Sequence, residues 1–277
     1  MGFAKVITTM NDQGADVMGL NILGYKHPDS AIVSGSLLTV ESNHFAVLKS
    51  RGAVLDVYTN GQFPIKTPDK PLIGSLATGF FGGTSPWQYE TIYVNRAKLL
   101  VKNVGLATSK EMAQMQYSVE YYIHVDTPED AVKLITHMPF AGHYIKTEEV
   151  ADYSKPVVEQ AINQIVQVTP MEMVNEKIHD ITELLKEHLG DHLKTYGILL
   201  NDVKMLILPS DERMREIIAF KALGLTPLEA VRYYIAMKMA ENGVVSAPNM
   251  AVGAPFSIGG QVTSTLNGKD IGVTGNK

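Results

Sequence analysis

Two histidines are the first candidates for metal chemistry in the sequence. His188 and His192 stand four residues apart in a segment predicted to be helical, a spacing that lets two imidazole rings reach one metal ion. The segment lacks the glutamate of an H-E-x-x-H motif, and spacing indicates no third ligand. The neighbouring acids Glu183, Glu187 and Asp191 have the pattern of a solvated helix face. We therefore expect ordinary surface histidines and no metal site.

A glycine-rich segment, GFFGGTSPW at residues 79–87, is the candidate for phosphate chemistry. A P-loop needs a lysine beside serine or threonine with a helix directly after it, and a dinucleotide-binding turn needs G-x-G-x-x-G at the start of a helix. Neither pattern is present, because a predicted strand follows the segment. The chain also has no cysteine and no G-x-S-x-G nucleophile elbow. The sequence thus predicts no enzymatic activity, no cofactor and no metal.

The same segment lies in an uncharged run that extends over residues 71–89. This run carries Phe80, Phe81 and the single tryptophan of the chain, Trp87. Loops normally present polar groups to water, so three large aromatic side chains require an apolar neighbour. That neighbour is a membrane headgroup region, a partner, or the sheet of the chain itself, onto which the aromatics would fold back. We take Phe80, Phe81 and Trp87 as a hypothetical membrane- or partner-contact surface.

Composition limits the partners and the compartment. The formal net charge of −5 over 277 residues gives no basic footprint for nucleic acid, so we expect no such partner. No run reaches the roughly 18 consecutive apolar residues of a spanning helix. The opening MGFAKVITTMNDQG lacks the continuous apolar core of a secretory signal. We therefore expect a cytoplasmic protein, with a peripheral position at a membrane left open.

The first half of the chain is predicted to be rich in strands. A short amphipathic helix is predicted at the start from four residues that share one helical face: Phe3, Val6, Ile7 and Met10. Short β-rich runs over residues 37–66 then predict an antiparallel meander, with Asn60–Gly61 as a type I′ hairpin turn. Further strands are predicted at residues 91–104 and 114–124, the second from its alternation of apolar and polar side chains.

The second half is predicted to be mainly helical. Helices are expected at residues 128–137, 155–167, 170–195, 210–224 and 227–242, with a strand at 197–208. Thr226, Pro227 and Glu229 form a capping box that marks the start of the last helix. After Gly243 the chain shows no periodicity and few charges, which predicts a disordered tail. The predicted fold class is α+β, with an antiparallel β-rich domain followed by helices, one late strand and this tail.

Two stretches carry a resemblance to a known family. One is GSLLTVESNHFAVLKSRGAVLDVYTNGQFPIKTPDKPLIG at residues 35–74, and the other is FGGTSPWQYETIYVN at residues 81–95. The second is similar to a G-G-x-S-P-aromatic-x-x-E-x-x-x-V-N signature. On these motifs the chain resembles the SPFH (stomatin, prohibitin, flotillin, HflK/C), or band 7, superfamily. Within that superfamily it resembles the bacterial and phage branch known as virion core protein-like.

The sequence also departs from that family. Asn60–Gly61–Gln62 stands where relatives commonly have Pro–Gly–Arg or Pro–Gly–Lys. A C-terminal zinc ribbon needs cysteine, which the chain lacks. The predicted helix at 170–195 gives under four heptads, so the long coiled coil of flotillin-like relatives is missing.

The resemblance implies an α+β domain that oligomerises and organises a membrane-associated complex, with no catalytic residues to carry over. The expected function is a non-enzymatic oligomeric scaffold whose partners are further copies of the chain and a membrane protein or lipid surface. The alternative is a soluble self-assembling or virion-associated structural protein without membrane contact. Four parts are predicted: a lead segment at 1–34 with the amphipathic helix, an SPFH-like domain at 35–225, a capped helix at 226–243 and a flexible tail at 244–277.

Overall fold

The computed structural model describes most of the chain between residues 5 and 242. The described residues are 5–11, 13–28, 32, 35–50, 52–66, 89–221, 223–242, 265–266 and 269–270. The chain divides into two compact units, residues 1–208 and 209–277. The fold is α+β with antiparallel sheets, as the sequence predicts.

The described strands are β1 (Val6–Ile7), β2 (Ile22–Lys26), β3 (Leu37–Val40), β4 (His44–Ser50), β5 (Ala53–Tyr58), β6 (Gly61–Pro64), β7 (Tyr89–Asn95), β8 (Leu99–Thr108), β9 (Gln114–His124), β10 (Tyr144–Lys146), β11 (Leu199–Pro209), β12 (Thr265–Leu266) and β13 (Lys269–Asp270). The α-helices are α1 (Pro128–His137), α2 (Thr147–Val166), α3 (Ile178–Lys194), α4 (Glu212–Lys221) and α5 (Pro227–Glu241). A 3₁₀ helix, Met171–Lys177, directly precedes α3.

A five-stranded sheet has the order β10-β2-β7-β4-β5, and its central strands β2, β7 and β4 are buried on both faces, whereas the edge strand β5 is largely exposed. Successive side chains of a strand point to opposite faces. On β4, Phe45 and Val47 therefore enter one hydrophobic core, while Ala46 and Leu48 enter a second. The second core also takes side chains from a small sheet with the order β1-β3-β6. Burial on both sides explains why β4 reads as a nearly continuous apolar run.

A three-stranded sheet with the order β11-β9-β8 covers the helices of the first unit. Strands β8 and β9 pair through ten consecutive residues, from Leu99 opposite Ile123 to Thr108 opposite Gln114, without a register shift. The inner face of this sheet shares the first core with α2 and α3. The strand predicted at 114–124 is confirmed with the same bounds.

The amphipathic helix predicted at the N-terminus is wrong for the residues that the structure describes there. Val6 and Ile7 form β1, which pairs in parallel with Leu37 and Leu38. Ile7 is buried and Val6 is exposed, as the two-residue period of a strand requires. The spacing of the four apolar residues fits only the helical period, and backbone pairing with β3 overrides that local preference.

The hairpin predicted at Asn60–Gly61 is also wrong. Strand β5 pairs with β4, whereas β6 pairs with β3 in the other sheet, so the chain passes between two sheets at this point. Gly61 has φ +126°, but Asn60 is not in the positive-φ region that a type I′ turn needs. The hairpin of this region instead joins β4 to β5 and includes Gly52, with φ +82°.

Three predicted elements need smaller corrections. The strand predicted at 91–104 is two strands in different sheets, because the Asn95 side chain accepts a hydrogen bond from the Ala97 amide at 2.8 Å and closes a turn. Helix α2 begins at Thr147, ahead of the predicted 155, and contains Pro156. The segment predicted as one helix at 170–195 begins with the 3₁₀ helix.

The second unit contains α4 and α5, which pack through an edge-to-face contact of Phe220 with Tyr233 at 5.0 Å. Thr226 and Glu229 form the predicted capping box, with the Thr226 amide donating to Glu229 Oε2 at 2.8 Å. The predicted tail at 244–277 lies outside the described residues, apart from the short antiparallel pair β12–β13.

Gly197 ends α3 in a way that only glycine permits. Its φ is +72°, and the Ile198 amide donates to the Leu193 carbonyl at 3.1 Å, as at a helix terminus closed by a left-handed residue. A Cβ at Gly197 would overlap the backbone carbonyl of Asp130, at the start of α1. Both the backbone conformation and the approach of α1 therefore require glycine.

The substitution Gly197→Ala tests this contact against Gly142→Ala. Gly142 also has positive φ, +66°, but no atom lies within 4 Å of the Cβ it would gain. We expect Gly142→Ala to lower the free energy of unfolding by about 1–2 kcal/mol, from backbone strain alone. Gly197→Ala should lower it by about 1–3 kcal/mol more, because backbone must shift. Equal decreases in the free energy of unfolding for the two variants, measured by chemical denaturation, would show that α1 does not approach Gly197 so closely.

Candidate interaction surface

The aromatic residues predicted to form a contact surface, Phe80, Phe81 and Trp87, lie outside the described residues. The structure does place both ends of their segment. Ile65 and Tyr89 are each 2% exposed and belong to the second core, where Tyr89 pairs with Ser50. The described residues on both sides of the segment therefore belong to one core, and the contact surface remains a prediction.

The histidine pair of α3 brings no further metal ligands together. The ring of His192 packs edge-on against Tyr196 at 5.3 Å. In the part of the chain that the structure describes, no group of three or more His, Asp or Glu side chains is arranged to hold a metal ion.

His44 is the most deeply buried histidine with an acid beside it. Its Nε2 atom lies 3.8 Å from Asp16 Oδ2, and neither ring nitrogen has a hydrogen-bond partner among the described residues. Burial lowers the pKa of His44, although Asp16 and Glu41 act in the opposite direction. Burial of the ring therefore favours the neutral imidazole.

A buried set of hydrogen bonds holds α2 on the three-stranded sheet. Tyr121 Oη donates to Asn103 Oδ1 at 3.0 Å and lies 2.5 Å from Ser154 Oγ. Asn103 Nδ2 donates to the carbonyl of Ala151 at 2.8 Å. Ser154 Oγ also lies 2.8 Å from the Val150 carbonyl oxygen. We call Asn103, Tyr121 and Ser154 the polar anchor, since they join β8, β9 and α2.

The polar anchor contains a serine beside a tyrosine, which are residue types that can serve as a nucleophile and its base, but it does not act as such a pair. Burial raises the pKa of Tyr121, so its hydroxyl stays protonated and acts as a hydrogen-bond donor. Ser154 is fully buried and bonds to a carbonyl of its own helix. A group that stays protonated cannot activate the serine, and the anchor therefore positions the helix.

A second tyrosine of β9 packs against the same helix beside the anchor. Tyr117 lies over Gly105, its register partner on β8, and a Cβ at Gly105 would overlap the Tyr117 ring. Burial, together with the nearby Glu159 carboxylate, raises the pKa of Tyr117 to about 12. Both tyrosines therefore contribute neutral side chains to the inner face of the sheet.

The opposite side of this sheet carries exposed apolar side chains. We call it the outer face, and it is formed by Leu100, Lys102, Val104 and Leu106 on β8, Gln116, Ser118, Glu120 and Tyr122 on β9, and Asp202, Lys204 and Leu206 on β11. The apolar members are 44%, 48%, 55%, 37% and 54% exposed for Leu100, Val104, Leu106, Tyr122 and Leu206. Lys102 Nζ and Glu120 Oε1 form an ion pair at 2.9 Å between opposite residues. The surface thus combines exposed apolar side chains with paired charges, as protein contacts do.

Sequence reasoning missed the outer face because β8 is apolar on both sides. Leu99 and Val101 point inward, while Leu100 and Val104 point outward. The signal for the exposed set is Lys102, whose charged side chain shares a side of the strand with Leu100 and Val104. Asn103 lies on the inner side, and its burial depends on partners on other elements.

The described helices include none that is both long and apolar enough to cross a membrane. The family model described as SPFH domain-Band 7 family matches residues 22–224. The chain therefore belongs to the SPFH domain-Band 7 family. Members of this family are typically non-enzymatic scaffolds that form homo-oligomers and associate with membranes. No curated protein matches the chain.

Two adjacent tyrosines provide a matched test of the polar anchor. Tyr121→Phe removes the hydroxyl shared by Asn103 and Ser154, and we expect it to lower the free energy of unfolding by about 1–3 kcal/mol, because a buried acceptor loses its partner. Tyr122→Phe, on the outer face, should change it by less than about 0.5 kcal/mol. Urea denaturation of both variants measures the difference in the free energy of unfolding. Equal effects would show that the Tyr121 hydroxyl does not stabilise the fold through the polar anchor.

Proposed function

We propose that the chain is a non-enzymatic oligomeric scaffold of SPFH type that organises a membrane-associated complex. It acts as a cytoplasmic protein at the periphery of a membrane, with further copies of itself and a membrane protein or lipid surface as partners. Within the family we place it in the virion core protein-like branch, on the G-G-x-S-P-aromatic signature at residues 82–95.

The observation that carries the scaffold proposal is the outer face. Its apolar side chains are held on a sheet whose inner side is fixed to α2 by the polar anchor. Exposed apolar groups on a rigid element lose little conformational entropy when a partner covers them. Such a surface suits repeated protein association, and scaffolding is the typical role of the family.

Membrane contact rests on a different part of the chain. The uncharged run at residues 71–89 supplies Phe80, Phe81 and Trp87, and aromatic rings favour the headgroup region of a bilayer. The outer face itself has two lysines and two acids, so it does not attract anionic lipid. The balance of charges favours a protein partner over lipid at the outer face. It also fits the second candidate, a soluble or virion-associated assembly.

Light scattering during size exclusion and flotation with anionic vesicles test the two parts of the proposal separately. We expect a mass that is a multiple of the 30.3 kDa chain and a shift of Trp87 emission when vesicles are added. Phe80→Ser with Phe81→Ser should abolish the shift, while Met112→Ser, at an apolar side chain that is 81% exposed, should not. An oligomer that neither floats with the vesicles nor changes its Trp87 emission would favour the soluble alternative. A monomer would contradict both candidates.

A further inference from the structure

We infer that the outer face is the contact between two copies of this chain, stacked face to face around a two-fold axis that lies between the two sheets and parallel to them. The inference rests on the proposed self-association and adds its surface and symmetry. A two-fold contact uses the same patch on both copies, so the patch must be complementary to itself.

The charges of the outer face satisfy this condition. Lys102 and Lys204 are balanced by Glu120 and Asp202. Lys102 is already paired with Glu120, whereas Lys204 forms no ion pair within the described residues. Lys204 is thus free to meet an acid of the second copy. A face that carries both positive and negative charges can pair with the same face of a second copy. Binding to nucleic acid or anionic lipid instead requires an excess of lysine and arginine.

The apolar side chains are distributed over the whole width of the sheet. Leu106 lies on β8 at one edge, Tyr122 on the central strand and Leu206 on β11 at the other edge. The β8–β9 ladder contains no register shift that would bend the surface. Sheets with such faces stack at about 10 Å with interdigitated side chains, so a second sheet fits the surface better than an isolated helix or peptide.

The size of the face sets the strength of the contact. A strand of ten residues is about 33 Å long and three strands are about 14 Å wide, which gives roughly 450 Å² per copy. The total of about 900 Å² lies below the roughly 1,000 Å² expected of a stable specific interface. The structure therefore predicts a weak dimer that forms reversibly with concentration, and a larger assembly needs a second contact elsewhere.

Sedimentation velocity of the full chain, from about 1 to about 200 μM, tests the inference. Leu106→Lys and Leu206→Lys place a charge at opposite edges of the outer face, on side chains that are 55% and 54% exposed. The control is Leu20→Lys, at a leucine that is 94% exposed and lies outside the outer face. We expect each face variant to raise the dissociation constant at least about tenfold, and the control to leave it unchanged.

The outcomes separate this inference from the proposed function. A wild-type chain that stays monomeric contradicts the proposed self-association itself. A wild-type chain that associates, with both face variants unaffected, overturns only the face-to-face contact. An effect confined to one edge overturns it as well, because a stacked sheet covers both. If a lysine variant fails to fold, Val104→Thr replaces it, because threonine is nearly isosteric with valine and suits a strand. We expect Val104→Thr to raise the dissociation constant about threefold.

Discussion

The first unit depends on how α2 is held against the three-stranded sheet. Three buried polar side chains, Asn103, Tyr121 and Ser154, satisfy one another and two helix carbonyls. Hydrogen bonds fix direction and register, which hydrophobic burial alone does not, and an arrangement that leaves one of these buried groups unpaired costs free energy. The anchor thereby decides which side of β8 and β9 is covered, and the other side becomes the outer face.

This constraint connects the fold to the proposed scaffold role. An interaction surface is useful when its side chains are already in place before the partner arrives. Leu106 and Leu206 lie on strands of one sheet, so the core that buries Val101 and Ile207 also positions the exposed leucines. Family membership over residues 22–224 agrees with scaffolding as the general role. The surface proposed here gives that role a physical location.

Local signals in the sequence predict some elements well and others poorly. Strand β9 and helix α5 follow from strict alternation and from the capping box at Thr226, because their determinants lie within a few residues. The pairing of β6 with β3 could not be predicted, since Asn60–Gly61 has the local features of a hairpin. The burial of Asn103 on β8 could not be predicted either, because its partners lie on other elements. Partner choice and sidedness are set by distant residues, such as Ser154 for Asn103.

Hydroxyl-radical footprinting at low and high protein concentration tests the central claim most directly, because it reads the solvent exposure of individual side chains. If the outer face joins the copies, oxidation of Leu106, Tyr122 and Leu206 falls together as the protein concentration rises. Tyr121 should be protected throughout, and Met112, away from the outer face, should react equally at both concentrations. Loss of reactivity elsewhere, with the outer face still fully reactive in the associated protein, would contradict the claim that this face joins the copies.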